Sequence, residues 1–218
     1  MLGYNVMVMI NDSIKTIVCY GDSNTWGNVP NSDLRYPHGV RWPSALQNIL
    51  GSEYEVISEG LCGRTLKSNI ASPEKNGINY ILPCILSHEP TEWLIIMLGT
   101  NDVKDKYKLS TDQIAQNLKE TISIVRGAEI ENRESLKILV ICPPKIIVPK
   151  SGSNEQFKEG IEKSEQLTSL YKMVAQETNS FFLDAGIFTQ SSDIDGVHLD
   201  ELGHLELARV VANIILAK

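Results

Sequence analysis

Alternation constrains this chain more than any other feature. Five short apolar runs recur along it: KTIVCY (Lys15 to Tyr20), YEVIS (Tyr54 to Ser58), EWLIIMLG (Glu92 to Gly99), LKILVIC (Leu136 to Cys142) and SFFLDA (Ser180 to Ala185). They are rich in Val and Ile, and the middle ones hardly alternate with polar residues, as expected of strands covered on both faces. Helix-like segments fall between them. WPSALQNILG ends at Gly51, a residue suited to a helix C-terminus, and GINYILPCILSHE contains Pro83, which kinks it or marks its first turn. STDQIAQNLKETISIVRG opens with Ser110 or Thr111 as N-cap and places Ile114, Leu118, Thr121, Ile122 and Val125 on one face. Phe157 to Thr178 is long and mixed, and LGHLELARVVANIILAK closes the chain. Strict βα alternation predicts an α/β fold, a parallel sheet with helices on both faces, whose ligands bind beyond the carboxyl ends of the strands.

Size and charge narrow the field. The 218 residues, 42% hydrophobic and 22% charged, suit one globular domain, 1–218. A net charge of −7 with no basic run excludes nucleic acid and anionic membrane surfaces as expected partners. No stretch is long and apolar enough to span a bilayer, and the opening MLGYNVMVMIND lacks the basic region and cleavage site of a signal peptide. Cys19, Cys62, Cys84 and Cys142 show no CxxC spacing, and a reduced, cytoplasmic setting is expected. No His, Cys and carboxylate cluster has metal-ligand spacing, and GxGxxG, GxxxxGK[ST] and GxSxG are absent, so no metal and no nucleotide cofactor is expected.

Polar motifs stand just after the strand ends: GDSN after the first run, EGLCGRT after the second, GTND after the third and DIDGVHLD after the fifth. The topology gathers all four on one edge. Ser23 is a candidate nucleophile, although Ser, Asp and Asn also favour such turns on ordinary conformational grounds. A hydroxyl nucleophile needs a base, and His198 is placed for that task better than His38, His88 or His204. Asp195, three residues before His198, can fold back to hold the imidazole; Asp193 is less well placed, and Asp200 reads as the N-cap of the last helix. The Ser23 and Gly63 amides and the Asn101 side chain could receive an oxyanion, whereas the plainer reading makes Gly63 a turn residue and Asn101 with Asp102 a cap. Asp22 is expected to order the serine turn. Arg41 and Arg64 could bind an acidic substrate group or form pairs with acids such as Glu59 or Asp22. Two long irregular stretches, Asn28 to Arg41 and Pro143 to Gln156, are candidate pocket walls.

Four motifs in this order resemble the blocks of the SGNH (GDSL-type) hydrolases: GDSN with Ser23, GLCGRT with Gly63, GTND with Asn101, and DGVH with Asp195 and His198. GDSNTWG, VRWPSAL, YEVISEGLCGRT, LIIMLGTND, ILVICPP and FFLDAG are similar to the aryl esterase/acyltransferase subgroup. The resemblance implies a flavodoxin-like three-layer α/β/α sandwich with a five-stranded parallel sheet. It also implies hydrolysis of a small-molecule ester of a short acyl group through an acyl-serine, with acyl transfer to alcohols or hydrogen peroxide in some relatives. Ser23 would be nucleophile, His198 base, Asp195 its orienter, and Ser23, Gly63 and Asn101 the oxyanion hole. A homo-oligomer is expected from the same likeness. The chain departs from the family's usual Leu at Asn24 and from the subgroup's second Trp at Asn28. Asn24 and Asn28 are therefore candidates for the substrate pocket; Trp26, an aromatic beside the serine turn, could line it or equally well pack under the first loop. An O-deacetylase of carbohydrates and a non-enzymatic anion-binding nest are the alternative readings.

Overall fold

The computed structural model describes residues 14–69, 71–131 and 133–218, so the expectation for MLGYNVMVMIND falls outside the described residues. Five parallel strands form one sheet: β1 (Lys15–Gly21), β2 (Tyr54–Gly60), β3 (Thr91–Met97), β4 (Lys137–Cys142) and β5 (Phe181–Asp184), in the order β2-β1-β3-β4-β5. β1 is central to the register, with Val18 between Ile57 of β2 and Leu94 of β3.

Successive strand residues point to opposite faces, and both faces are apolar. Val18, Tyr20, Leu94, Ile96, Ile138 and Val140 pack toward α3 (Gly77–Ser87), α4 (Thr111–Gly127) and α5 (Gly160–Glu177). Ile17, Cys19, Trp93, Ile95, Leu139 and Ile141 pack toward α2 (Trp42–Leu50) and α6 (Glu201–Leu216). These strand residues are essentially unexposed, and each such side chain contributes about 1.5–3 kcal/mol of burial free energy. The three layers are thus the physical consequence of continuous apolar runs.

Local chemistry sets the helix ends. A capping box settles the start of α4: the Ser110 hydroxyl accepts the Gln113 N–H while the Gln113 side chain accepts the Ser110 N–H. α2 stops at Gly51, at φ +74°. Pro83 sits inside α3 rather than in its first turn. α5 begins three residues later than the sequence pattern suggests. Phe157 is buried in the preceding loop, and the Lys158 and Glu159 N–H groups donate to Asp105, a carboxylate on a different segment.

Strand order reverses between β1 and β3, and the crevice beyond their carboxyl ends is where such sheets place ligands. The chain leaves β1 into α1 (Ser23–Trp26), leaves β2 and β3 into turns, and leaves β5 into the loop before α6.

Candidate active site

Ser23 is the first residue of α1, directly after β1. A first-turn N–H has no carbonyl one turn back, so the Ser23 amide has no intrahelical partner. Asp22 caps this turn, its carboxylate accepting the Asn24 N–H at 2.9 Å. Burial pushes the Asp22 carboxyl up, against that hydrogen bond and the nearby His198. Gly60, at the end of β2, passes under α1 so closely that a Cβ there would lie 2.2 Å from the Trp26 nitrogen.

From the other side of the crevice, the loop before α6 brings His198 to Ser23, with Nε2 3.0 Å from Oγ. Asp195 Oδ2 lies 2.6 Å from His198 Nδ1. A carboxylate only accepts, so Nδ1 carries the hydrogen and Nε2 is left to accept from the serine hydroxyl. Asp195 also accepts the N–H groups of Val197, His198 and Asn31, each at 2.9 Å. Burial raises its pKa, but the hydrogen bonds from His198, Val197 and Asn31 outweigh that effect and hold it at about 2. The rival acids are engaged elsewhere. Asp193 pairs with Lys150 at 2.6 Å, and Asp200 caps α6 through the Gly203 N–H at 2.7 Å.

Gly63 and Asn101 line the same cleft as Ser23 and His198. Gly63 adopts φ +78°, a left-handed conformation that glycine reaches without strain. Asn101 donates through Nδ2 to the Arg64 carbonyl at 3.1 Å, which fixes the amide beside the Gly63 turn. Asp102, read as a possible cap, instead latches that turn: its carboxylate accepts the Leu66 N–H at 3.0 Å and the Ser68 hydroxyl at 2.6 Å. Burial lifts the Asp102 carboxyl to about 6 against those two hydrogen bonds.

The cleft is about 700 Å³ and draws on both expected loops, through Asn28, Asn31, Ser32 and Asp33 on one side and Ser151, Ser153, Asn154 and Glu155 on the other. Most of this wall is polar. Lys104 joins it, its ammonium 5.3 Å from the centre of the Phe157 ring, and burial lowers its pKa. Lys104 belongs to none of the four motifs, although it stands three residues after Asn101 at the sheet edge that carries them. A second concavity, about 880 Å³, opens at the opposite edge among residues such as Thr16, Thr91 and Phe181, far from these motifs.

Of the three pocket candidates, Asn28 alone lines the cleft. Asn24 is buried and does not line the cleft; it accepts the Leu199 N–H at 2.9 Å and donates to the Val197 carbonyl at 3.3 Å. It ties the serine turn to both neighbours of His198. Trp26 does not line the cleft either, because its ring lies under the Arg35 guanidinium, 4.7 Å away, beneath the first loop. Asn28 does reach the cleft wall, while its amide holds the loop by donating to Val29 and Ser32 carbonyls. Arg64 finds carbonyls rather than carboxylates, donating to Gly21 at 2.9 Å and to Glu59 main-chain oxygen, with its guanidinium 4.2 Å over Tyr20. Arg41 likewise donates to the Tyr36 carbonyl. His204 is fully buried, and its Nδ1 accepts the Trp42 N–H. Glu59, Cys84 and His88, which have no motif spacing in the sequence, converge in space.

A serine hydroxyl, an imidazole and a carboxylate in hydrogen-bonded series at the switch point of a parallel sheet is the arrangement used by nucleophilic hydrolases. Residues 19–205 match the GDSL-like lipase/acylhydrolase family, and the chain belongs to it. Among solved structures it is similar to Est24, a carbohydrate acetylesterase from Sinorhizobium meliloti, with a TM-score of 0.86 and 32% identity over 93% of this chain and 99% of that one. The aryl esterase of M. smegmatis matches equally well, with a TM-score of 0.86, 32% identity and the same coverage of each chain. Two acetylxylan esterases are more distant. That of Geobacillus stearothermophilus is 26% identical over 71% of this chain and 68% of its own length. That of Xylanibacter ruminicola is 25% identical over 92% of this chain, which spans only 43% of that relative.

Proposed function

We propose that this chain is a serine esterase acting on small esters of short acyl groups. The observation that carries the reading is the unbroken series from Ser23 Oγ through His198 to Asp195. His198 takes the Ser23 proton as Oγ attacks the ester carbonyl, and Asp195 stabilises the imidazolium formed. The Ser23 and Gly63 amides and the Asn101 side chain receive the oxyanion, each donor being worth roughly a hundredfold or more in rate. Collapse of this intermediate breaks the bond to the alcohol, which leaves with the proton from His198. Water then gives its proton to His198, attacks the acyl-serine and releases the acid, returning the proton to Ser23. Ser23→Ala should eliminate hydrolysis of p-nitrophenyl acetate; undiminished turnover in that variant would overturn the assignment.

A specific observation favours O-acetylated carbohydrate as the ester. The cleft wall carries Asn31, Ser32, Asp33, Ser153 and Asn154, groups suited to sugar hydroxyls rather than to a long acyl chain. Relatives named carbohydrate acetylesterase and acetylxylan esterase support the same reading. Acetate release from acetylated xylo-oligosaccharides, compared with p-nitrophenyl acetate, tests it; turnover of the aryl ester alone would confine the enzyme to simple esters.

A further inference from the structure

Outside the cleft, one cluster of side chains has a chemistry that the ester reaction does not use. Cys84 lies in the last turn of α3 and His88 is the residue that caps its C-terminus, so both stand near the negative end of the helix dipole. Glu59, near the end of β2, projects toward them, and its Oε1 lies 2.9 Å from His88 Nε2. One donor atom from each of the three residues lies within 4.8 Å of the other two. We propose that Glu59, Cys84 and His88 form a binding site for a divalent transition metal of the zinc or cobalt type.

Several features fit that ion. A thiolate, an imidazole and a carboxylate are the mixed set that borderline-soft, tetrahedral ions take, whereas calcium and magnesium prefer all-oxygen sites. Two anionic ligands balance a divalent charge. The Glu59 and His88 side chains are 20% and 24% exposed, which admits the ion and leaves room for water as a fourth ligand, while Cys84 closes the site from inside. Binding exchanges the Cys84 thiol proton for the metal, and the proton passes to solvent.

Arg64 is the neighbouring cation. It is held back by its bonds to the Gly21 and Glu59 carbonyls and by stacking on Tyr20. None of the three ligands lines the catalytic cleft. The ion would join α3 to the end of β2, the strand from which the Gly63 turn springs.

Titrating metal-free, tag-free protein with Co²⁺ tests this. The wild type should develop a thiolate-to-cobalt charge-transfer absorption that saturates at one equivalent per chain. Cys84→Ser should abolish the band, and His88→Gln, at a partly exposed position that tolerates change, should weaken Co²⁺ binding at least tenfold. Hydrolysis of p-nitrophenyl acetate by His88→Gln reports folding independently. No band in the wild type, or a band unchanged in either folded variant, would overturn the proposal.

Discussion

At the scale of single residues, the candidate chemistry depends on one imidazole tautomer. Asp195 holds it through the contact to Nδ1. Asp195→Asn keeps the shape but permits the wrong tautomer, and kcat on p-nitrophenyl acetate is expected to fall by about 10⁴, the size of effect known for such triads. Its carboxyl is also depressed from 3.8 to about 2 in the folded chain. A depressed carboxyl stabilises the fold above its unfolded pKa and loses that contribution as pH falls through its folded value. Urea midpoints of the wild type should therefore drop between about pH 4 and about pH 2, and Asp195→Asn should lose less over the same window. Asn24 makes a different kind of contribution. Asn24→Ala would strand the buried Leu199 N–H, and urea unfolding should show a loss of about 1–3 kcal/mol, with kcat/KM reduced because the His198 loop is no longer tied to α1.

At the scale of elements, the geometry comes from strand ends that approach closely. Gly60→Ala would place a methyl group against the α1 backbone, and a shift of Ser23 by about 1 Å should cost roughly a hundredfold in kcat/KM on p-nitrophenyl acetate. Much of this architecture was legible beforehand. Val and Ile runs without polar alternation announced strands buried on both faces, with Ser23, Gly63 and Asn101 within a few residues of strand ends and His198 on the loop that leads from β5 to α6. What escaped notice depends on contacts between distant segments. Asp102 looked like a local cap because its partners, Leu66 and Ser68, lie on another loop. The Asn31 N–H reaches Asp195 across 164 positions, and no local pattern encodes that. A departure from the family's usual Leu at Asn24 points to the pocket only while its partners, Leu199 and Val197, 175 and 173 positions away, are unknown. Glu59 met Cys84 and His88 only through the pairing of β2 with β1 and the packing of α3. α5 starts later than the pattern because the Lys158 and Glu159 N–H groups, just before it, are held by Asp105 on a distant segment.

At the scale of the whole molecule, two apolar faces fix a sheet, the sheet's reversal of strand order creates a crevice, and polar loops wall it. Among the described residues no helix is long and apolar enough to cross a membrane. The polar wall predicts an acyl preference: kcat/KM should fall steeply from p-nitrophenyl acetate to the octanoate ester, since the loops offer few apolar surfaces for a long chain. The expectations for activity rest on Ser23 forming the acyl intermediate. The most direct measurement is mass mapping of the protein after reaction with a fluorophosphonate. The account predicts one adduct per chain, on the peptide containing Ser23, absent in Ser23→Ala and much slower to form in His198→Ala. An adduct on another residue, or its persistence in Ser23→Ala, would contradict it.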